Sequence, residues 1–341
     1  MGVTMKAGLV YPARSRRKTY STANPQLQEF FDTNQYVPTF FLPSLSLLTL
    51  AACTPPEVQL KLLDERVTEI DFQEHFHIVG ISIMTEQGLR GYEIAQRFKS
   101  NGVFVVIGGI HASILPREAR KYCNSVVIGE AETLWPLLIQ DFKKGKVKEF
   151  YYNTKKIDLE KSPIPRYELV DTDKYNLIPI QTTRGCPYDC SFCTVTTIFG
   201  PKFRNKASKQ VLAELEAAQN LSRNRRIVFN DDNMFVNRKK TYRFLEALIP
   251  HRIKYFVQSD ITIANDEKLL VLMQKSGCVT VFIGFESLVR DNLASLHNSR
   301  MKFKHLSSYS EACKKIQSHG IQILGAFILG FDHDTKNVFK N

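Results

Sequence analysis

The sequence predicts an α/β protein built from two successive units. Three observations carry that expectation. Short apolar runs alternate with helix-period segments from Lys6 to about Lys148, a Pro-containing stretch follows at Ser162–Tyr167, and the alternation starts again at Leu177. The expected division is 1–160, a linker at 161–176, and 177–341. A chain of 341 residues, 43% hydrophobic and 23% charged, exceeds one average domain and can fill well-buried cores. No repeat period or low-complexity tract interrupts it, which argues against fibrous, solenoid and disordered classes.

In the first unit the expected strands are Ala7–Tyr11, Val58–Leu63, Ile78–Met84, Val103–Ile107 and Ser125–Ile128. Their apolar character suits a parallel sheet covered by helices on both faces. Leu89–Ser100 places Ile94, Ala95 and Phe98 toward one side and stops at Asn101-Gly102, a helix with its terminator. The strands end in small or polar residues, so Ser82, Thr85, Gly108, Gly109, His111, Gly129 and Glu130 are candidate ligand positions beyond the carboxyl edge of the sheet. Glycines there serve ordinary strand-to-loop turns equally well. No Gly-x-Gly-x-x-Gly opens the first βα unit, which argues against a dinucleotide.

The second unit has expected strands at Leu177–Thr183, Arg226–Asn230, Tyr255–Ser259, Val279–Phe285 and Ile321–Leu329. Ser208 can cap a helix with Val211, Leu212, Leu215 and Ala218 on its apolar side, Asn265 can cap Asp266–Lys275 before Gly277, and a third helix covers about Ser307–His319 before Gly320. Five strand-helix alternations with polar strand exits resemble much of a barrel whose site lies on the C-terminal face. Phe331–Asn341 begins a further loop or helix with no sixth strand after it, so the expectation is a barrel that stays open or lacks its tail.

The chemistry concentrates after the first strand of this unit. Gln181–Cys193 contains C-x3-C-x2-C at Cys186, Cys190 and Cys193. Three thiolates can hold three irons of a [4Fe-4S] cube and leave the fourth open to a substrate amine and carboxylate. A structural zinc site would usually add a fourth Cys or His at short spacing, and the next His is His251. Cys278 and Cys313 read as buried small residues. Gly185 can relax the entry to the loop, and Phe192 can shelter the site and stack on an adenine edge. Other exits offer Asp231, Asp232, Gln258, Ser259 and Glu286 as polar acceptors for cofactor hydroxyls or ammonium, with Gly284 and Gly330 allowing close backbone approach. The acids can equally be caps of the following helices.

The formal charge of +12 is spread over the chain rather than gathered with aromatics, which argues against nucleic acid. Tyr36–Cys53, the most apolar segment, is interrupted by Pro38 and Pro43 and reads as buried loop and helix rather than a span. An N-terminus without a signal-peptide pattern points to the cytoplasm, with peripheral membrane contact left open. Seven Cys cannot all pair within one chain, and three within eight residues favour a metal over disulfides.

The motifs Val106-Ile107-Gly108-Gly109-Ile110-His111, Val127-Ile128-Gly129-Glu130, Cys186 to Cys193, Val228 to Asn233, Phe282 to Ser287 and Phe327 to Asp332 together resemble those of radical S-adenosylmethionine (SAM) enzymes with an N-terminal cobalamin-binding domain. Within that family the chain is most similar to the branch of the hopanoid C2 methylases, and more remotely to anaerobic magnesium-protoporphyrin monomethyl ester cyclases. The resemblance implies a Rossmann-like cobalamin-binding domain followed by a partial (β/α)6 radical SAM barrel, truncated at its C-terminal end. It implies a [4Fe-4S] cluster, S-adenosyl-L-methionine and cobalamin as cofactors, a small or lipid-like organic substrate, and a flavodoxin or ferredoxin-type electron donor. One SAM would yield a 5′-deoxyadenosyl radical that removes hydrogen from a weakly activated carbon, and methylcobalamin would supply the methyl group. A ring-forming or rearranging enzyme, or a noncatalytic cluster and corrinoid protein, are the alternatives. Ala326 stands at a small position of the fifth-strand glycine element. The corrinoid fingerprint Asp-x-His-x-x-Gly, expected after the first strand, is replaced by Pro12–Lys18 without a His, which implies cobalamin bound with no protein imidazole on cobalt. His111 is then expected near the nucleotide tail or the domain surface.

Overall fold

The computed structural model describes residues 4–13, 41–153, 155–221, 226–296 and 300–339. Arg14–Lys18 of the loop after the first strand, residues 36–40 of the apolar segment and the last two residues of Phe331–Asn341 lie outside the described residues. Two compact units result: Met1–Ile157 with Ser162–Leu177, and Asp158–Lys161 with Ile178–Asn341. Most of the segment read as a linker therefore packs with the first unit, where the Arg166 N–H donates to the Leu48 carbonyl at 3.1 Å.

Unit 1 contains, among the described residues, a six-stranded parallel sheet in the order β2-β1-β3-β4-β5-β6. Its strands are β1 Lys6–Tyr11, β2 Gln59–Asp64, β3 Ile78–Ser82, β4 Phe104–Gly108, β5 Ser125–Ile128 and β6 Phe150–Tyr152. The five expected strands are present within two residues at either end, and β6 is added at the edge. The order 2-1-3-4-5 is the flavodoxin-like form of the doubly wound fold; the Rossmann order would be 3-2-1-4-5-6. Period-two alternation feeds two cores. Val79, Ile81, Val105 and Ile107 pack with Ile94, Ala95 and Phe98 of α2 (Gly88–Ser100). Ile78 and Val106 point the other way, onto Leu47 and Ala51 of α1 (Leu45–Ala52) and Trp135 and Leu138 of α5 (Leu134–Lys143). Two short helices, α3 Ile110–Ile114 and α4 Pro116–Ala119, follow β4. The apolar segment forms α1 once Pro43 and Ser44 are passed. No helix among the described residues is long and apolar enough to cross a membrane.

Unit 2 has the sheet order β13-β12-β11-β10-β7. Its strands are β7 Leu177–Ile180, β10 Arg226–Phe229, β11 Tyr255–Ser259, β12 Cys278–Glu286 and β13 Gln322–Phe327, all at expected positions. A two-stranded antiparallel ribbon, β8 Thr183–Arg184 with β9 Arg204–Asn205, lies between β7 and β10 in sequence, with the short helix α6 (Val195–Phe199) between its strands. Successive strands are spatial neighbours, the order of a barrel wall rather than of a doubly wound sheet. One face is buried: Ile227, Phe229, Tyr255, Val257, Val281 and Ile283 pack beneath α7 (Ser208–Leu221), α8 (Arg238–Leu248), α9 (Glu267–Ser276) and α12 (Tyr309–Ser318). On the other face Val228, Phe256 and Phe282 are half-buried.

The N-cap of α9 is Asp266, whose carboxylate accepts from the Leu269 N–H at 3.0 Å, rather than Asn265. Either side chain can cap, but only Asp266 stands next to the first helical residue. Gly277 closes that helix at φ +98°, as expected. The buried stripe of α7 is Val211, Glu214, Leu215 and Ala218, with Leu212 half-buried, so a charged residue takes the place the pattern gave to Leu212. Glu214 is compensated by Lys206, whose Nζ lies 2.6 Å away.

Candidate functional site

The three-cysteine loop is anchored at its base by backbone. Gly185 has φ +87°, and a Cβ there would lie 2.6 Å from the Lys202 carbonyl oxygen, so glycine is required where the two ends of the loop pass each other. The β8–β9 ribbon, pairing Thr183 with Asn205 and Arg184 with Arg204, closes the loop just outside that crossing. Within it the Cys193 N–H donates to the Cys190 carbonyl at 2.9 Å, a turn that brings the last two cysteines back toward each other.

Asp231, leaving β10, holds the entry strand of the loop. It is buried and accepts from the Thr182 N–H at 2.8 Å, the Thr182 hydroxyl at 2.9 Å, the Thr183 hydroxyl at 3.0 Å and the Thr183 N–H. Burial nevertheless outweighs these four bonds and pushes its carboxyl up to about 6. Of the two adjacent acids, Asp231 is thus committed to the chain itself. Asp232 is half-buried, raised by burial and drawn back by the Gly185 N–H and the Arg184 charge.

A second group forms at the β12 exit. Glu286 adopts φ +67°, unusual for a residue with a side chain, at a register irregularity between Gly284 and Glu286. Its carboxylate is ion-paired with the Lys302 ammonium on α11 (Arg300–His305), and Lys302 Nζ also donates to the Gly284 carbonyl at 2.8 Å. A Cβ at Gly284 would overlap the Glu286 carboxylate, which gives the close approach expected there a concrete cause. The same ammonium lies 5.3 Å from the centre of the Phe192 ring in the cysteine loop. Lys302 is the residue the sequence reading missed: it sits among Lys304 and His305 and reads there as solvated surface, yet it is buried while Lys304 is exposed.

The remaining unit 2 positions separate by face. Gln258 is exposed on the face shared with Phe282 and Leu324, whereas Ser259 points to the buried side, its hydroxyl 3.4 Å from Asn233 Oδ1. Gly330, at φ +97°, donates its N–H to Asp334 Oδ2 at 2.8 Å, and Asp334 Oδ1 accepts from Asn292 at 2.7 Å. Ser287 serves α10 (Arg290–Ser295), accepting from the Val289 N–H at 3.0 Å.

In unit 1, Ser82, Gly108, Gly109 and His111 gather at the exits of β3 and β4. Gly109 has φ +92°, and a Cβ there would lie 2.7 Å from both the Ile83 N and O; at Gly108 the nearest contact would be an ordinary 3.6 Å. His111 is buried rather than at the surface, with Nε2 3.5 Å from Glu118 and its ring 5.8 Å from that of Tyr92. Gly129 donates to Ser113 Oγ at 2.8 Å, and buried Glu130 accepts from the Ile157 N–H at 3.2 Å. Thr85 is exposed, in a short turn of helix.

The chemistry of the cysteine set fits an iron-sulfur cube. Cys186, Cys190 and Cys193 are free, half-buried thiols. Burial pushes Cys186 up to about 11 and raises Cys190, and each feels the neighbouring thiols. Soft thiolates on one short loop suit separate irons of one cluster. Among the described residues no three His, Cys, Asp or Glu side chains converge on a point for a single metal ion. Cys278 is buried and pushed up to about 12, and Cys313 is half-buried.

The fold and loop define an α/β protein with a barrel-type wall carrying a three-thiol site. Residues 180–341 match the radical SAM superfamily. The chain is 32% identical over 305 residues to bacteriochlorophyllide d C-12(1)-methyltransferase of Chlorobaculum tepidum, covering 87% of this chain and 66% of that protein. It is 28% identical over 309 residues to hopanoid C-2 methylase of Rhodopseudomonas palustris, covering 86% and 58%. The structure of the cobalamin-dependent S-adenosylmethionine radical enzyme OxsB, with aqua-cobalamin and S-adenosylmethionine bound, shares the fold at TM-score 0.74 and 18% identity over 96% of this chain and 49% of that one. The likeness in sequence is to radical SAM and methyltransferase proteins, and it does not single out the hopanoid branch. The chain spans about half to two thirds of the length of these proteins.

Proposed function

We propose that this chain is a cobalamin-dependent radical SAM enzyme that methylates a weakly activated carbon of an apolar or small organic substrate. The observation that carries the reading is the loop of three free thiols, Cys186, Cys190 and Cys193, held at a barrel-wall strand exit by Gly185 and Asp231. Two relatives whose names state methylation at a carbon position, of a bacteriochlorophyllide and of a hopanoid, support transfer to carbon. The three thiolates would hold a [4Fe-4S] cluster, which supplies the electron for reductive cleavage of SAM. Phe192 would shelter the loop, Asp232 and the β12 exit would offer polar groups to the cofactor, and Asp231 keeps the loop entry fixed. Unit 1 would take cobalamin at the carboxyl edge of its sheet with His111 off cobalt, since that ring is enclosed by Glu118, Tyr92 and Gly88. A flavodoxin or ferredoxin-type donor would deliver the electron.

The test is anaerobic reconstitution of the full chain with iron, sulfide and hydroxocobalamin, followed by incubation with SAM, reductant and candidate apolar substrates, a hopanoid and a bacteriochlorophyllide among them. Formation of 5′-deoxyadenosine with a methylated product is expected. 5′-Deoxyadenosine with a cyclised or rearranged product would select the ring-forming alternative, and absence of both would refute the reading. Nitrogen hyperfine splitting in the cob(II)alamin EPR spectrum that disappears in His111→Ala would overturn the assignment of His111.

A further inference from the structure

We infer that Lys302 is a positioning residue of the cluster loop, and that its buried ammonium raises the reduction potential of the cluster by favouring the electron-rich form. The inference rests on the cluster reading above and deepens it. Lys302 and Glu286 are both 11% exposed in their side chains, so the pair has given up most of its hydration and needs partners of its own. The surrounding chain makes specific room for the pair. Gly284 has no side chain where the Glu286 carboxylate folds back, Glu286 takes a left-handed backbone conformation to do so, and the Gly284 carbonyl receives a second Lys302 N–H. The Tyr309 hydroxyl reaches the Lys302 carbonyl at 3.3 Å and Tyr309 packs edge-on to Phe285, fixing the lysine backbone to the same strand exit.

A β12 ion pair alone would need no contact with the cysteine loop. The ammonium nevertheless stands over the Phe192 ring, which lies between Cys190 and Cys193 in sequence. One cation therefore joins the cysteine loop and the β12 exit, two pieces of chain that sequence separates by more than ninety residues. Its consequences are mechanical, through the aromatic ring, and electrostatic, because a reduced cluster carries one more negative charge than the oxidised one. Net charge near a cluster and its hydrogen bonding are among the factors that set its potential.

The experiment compares full-length wild type, Lys302→Met, Lys302→Arg and Glu286→Gln, reconstituted anaerobically without SAM. Iron and sulfide are counted, and the cluster midpoint is measured by EPR-monitored redox titration. The midpoint is expected to fall in Lys302→Met, to return toward wild type in Lys302→Arg, and to rise in Glu286→Gln, where the cation is left uncompensated. Simple loosening of the loop would move the Met and Gln variants in the same direction, which would overturn the inference, as would a Met variant with the wild-type midpoint. If Lys302→Met retains no cluster, Glu286→Gln decides: a midpoint at or below wild type overturns the inference. A wild type that takes up no cluster would overturn this and the cluster reading together, whereas invariant midpoints on a normal wild-type cluster overturn this one alone.

Discussion

The two units shape their strand exits with different materials. At the crest of unit 1 the backbone does most of it: Gly109 brings the β4 exit so close to Ile83 that no side chain fits, and Gly129 turns at φ +83° to donate to Ser113. At the crest of unit 2 buried charge does it: Asp231 of the β10 exit grips Thr182 and Thr183 beyond β7, and Lys302 grips the β12 exit. A doubly wound sheet, with cores on both faces, leaves little room above neighbouring strands, and glycine is the residue that tolerates this. A sequential wall places successive exits side by side, and side chains long enough to cross from one to the next can tie them together. The lesson is that the same strand-helix alternation yields a backbone-lined rim in one unit and a charge-braced rim in the other.

The largest effect should come from the cysteine loop. Replacing Cys186, Cys190 or Cys193 by Ala should remove the cluster, read as loss of iron, sulfide and the reduced-cluster EPR signal, while corrinoid uptake by unit 1 persists. A normal cluster spectrum in Cys190→Ala would break the assignment. Cys313→Ala should keep the cluster, since that thiol is half-buried on α12, far from the loop in sequence.

Next comes the brace itself. Asp231→Ala leaves two buried backbone N–H groups without their acceptor and should destabilise the protein by about 3 kcal/mol, with poorer cluster retention. Urea unfolding followed by tryptophan fluorescence would miss it if the units unfold separately, because the single Trp135 reports on unit 1. Far-UV circular dichroism is the suitable probe.

How much of this was legible beforehand follows from where the signal is local. Strand positions were readable because apolar runs such as Tyr255–Ser259 and Ser125–Ile128 end abruptly in polar or glycine residues. The cysteine spacing was readable for the same reason. Partnerships between distant residues were not. Nothing near Asp231 announces that its acceptor capacity is used by Thr182 and Thr183, and nothing near Lys302 separates it from its basic neighbours. Likewise Glu214 falls on the buried stripe at helical spacing from Val211 and Ala218, but an acid is assigned outward by composition until Lys206 is seen beside it. The three-residue β6 is too short for its periodicity to register.

The unit 1 half of the comparison is tested by a pair of adjacent glycines. Gly109→Ala should cost about 2 kcal/mol and weaken corrinoid retention, because the new Cβ meets Ile83 backbone in a conformation side chains rarely adopt. Gly108→Ala, with its nearest neighbour at 3.6 Å, should be close to wild type in thermal stability. Equal stability of the two variants would show that the β4 exit can yield and that the rim is not set by backbone.

The smallest expected effect sharpens the unit 2 half, because it separates the brace from its charge. Burial raises the Asp231 carboxyl from its ordinary 3.8 to about 6, so the folded protein binds that proton more tightly than the unfolded chain does. The stability this contributes is fully present below the ordinary carboxylate range and is lost as pH rises through about 6. Asp231→Asn retains a carbonyl oxygen for the two backbone N–H donors, and the Thr182 hydroxyl can turn to accept from the new amide, so the fold should survive without the titration. On lowering pH from 7 to 5, wild type should therefore gain about 1 kcal/mol relative to Asp231→Asn in denaturant unfolding. A difference that stays flat across this range would mean that the four donors, rather than burial, govern the carboxylate. A difference that is flat from pH 7 to 5 and shrinks only below the ordinary carboxylate value of 3.8 would mean that the ionised brace is the favoured form, and that the loop is held by the charge as well as by its hydrogen bonds.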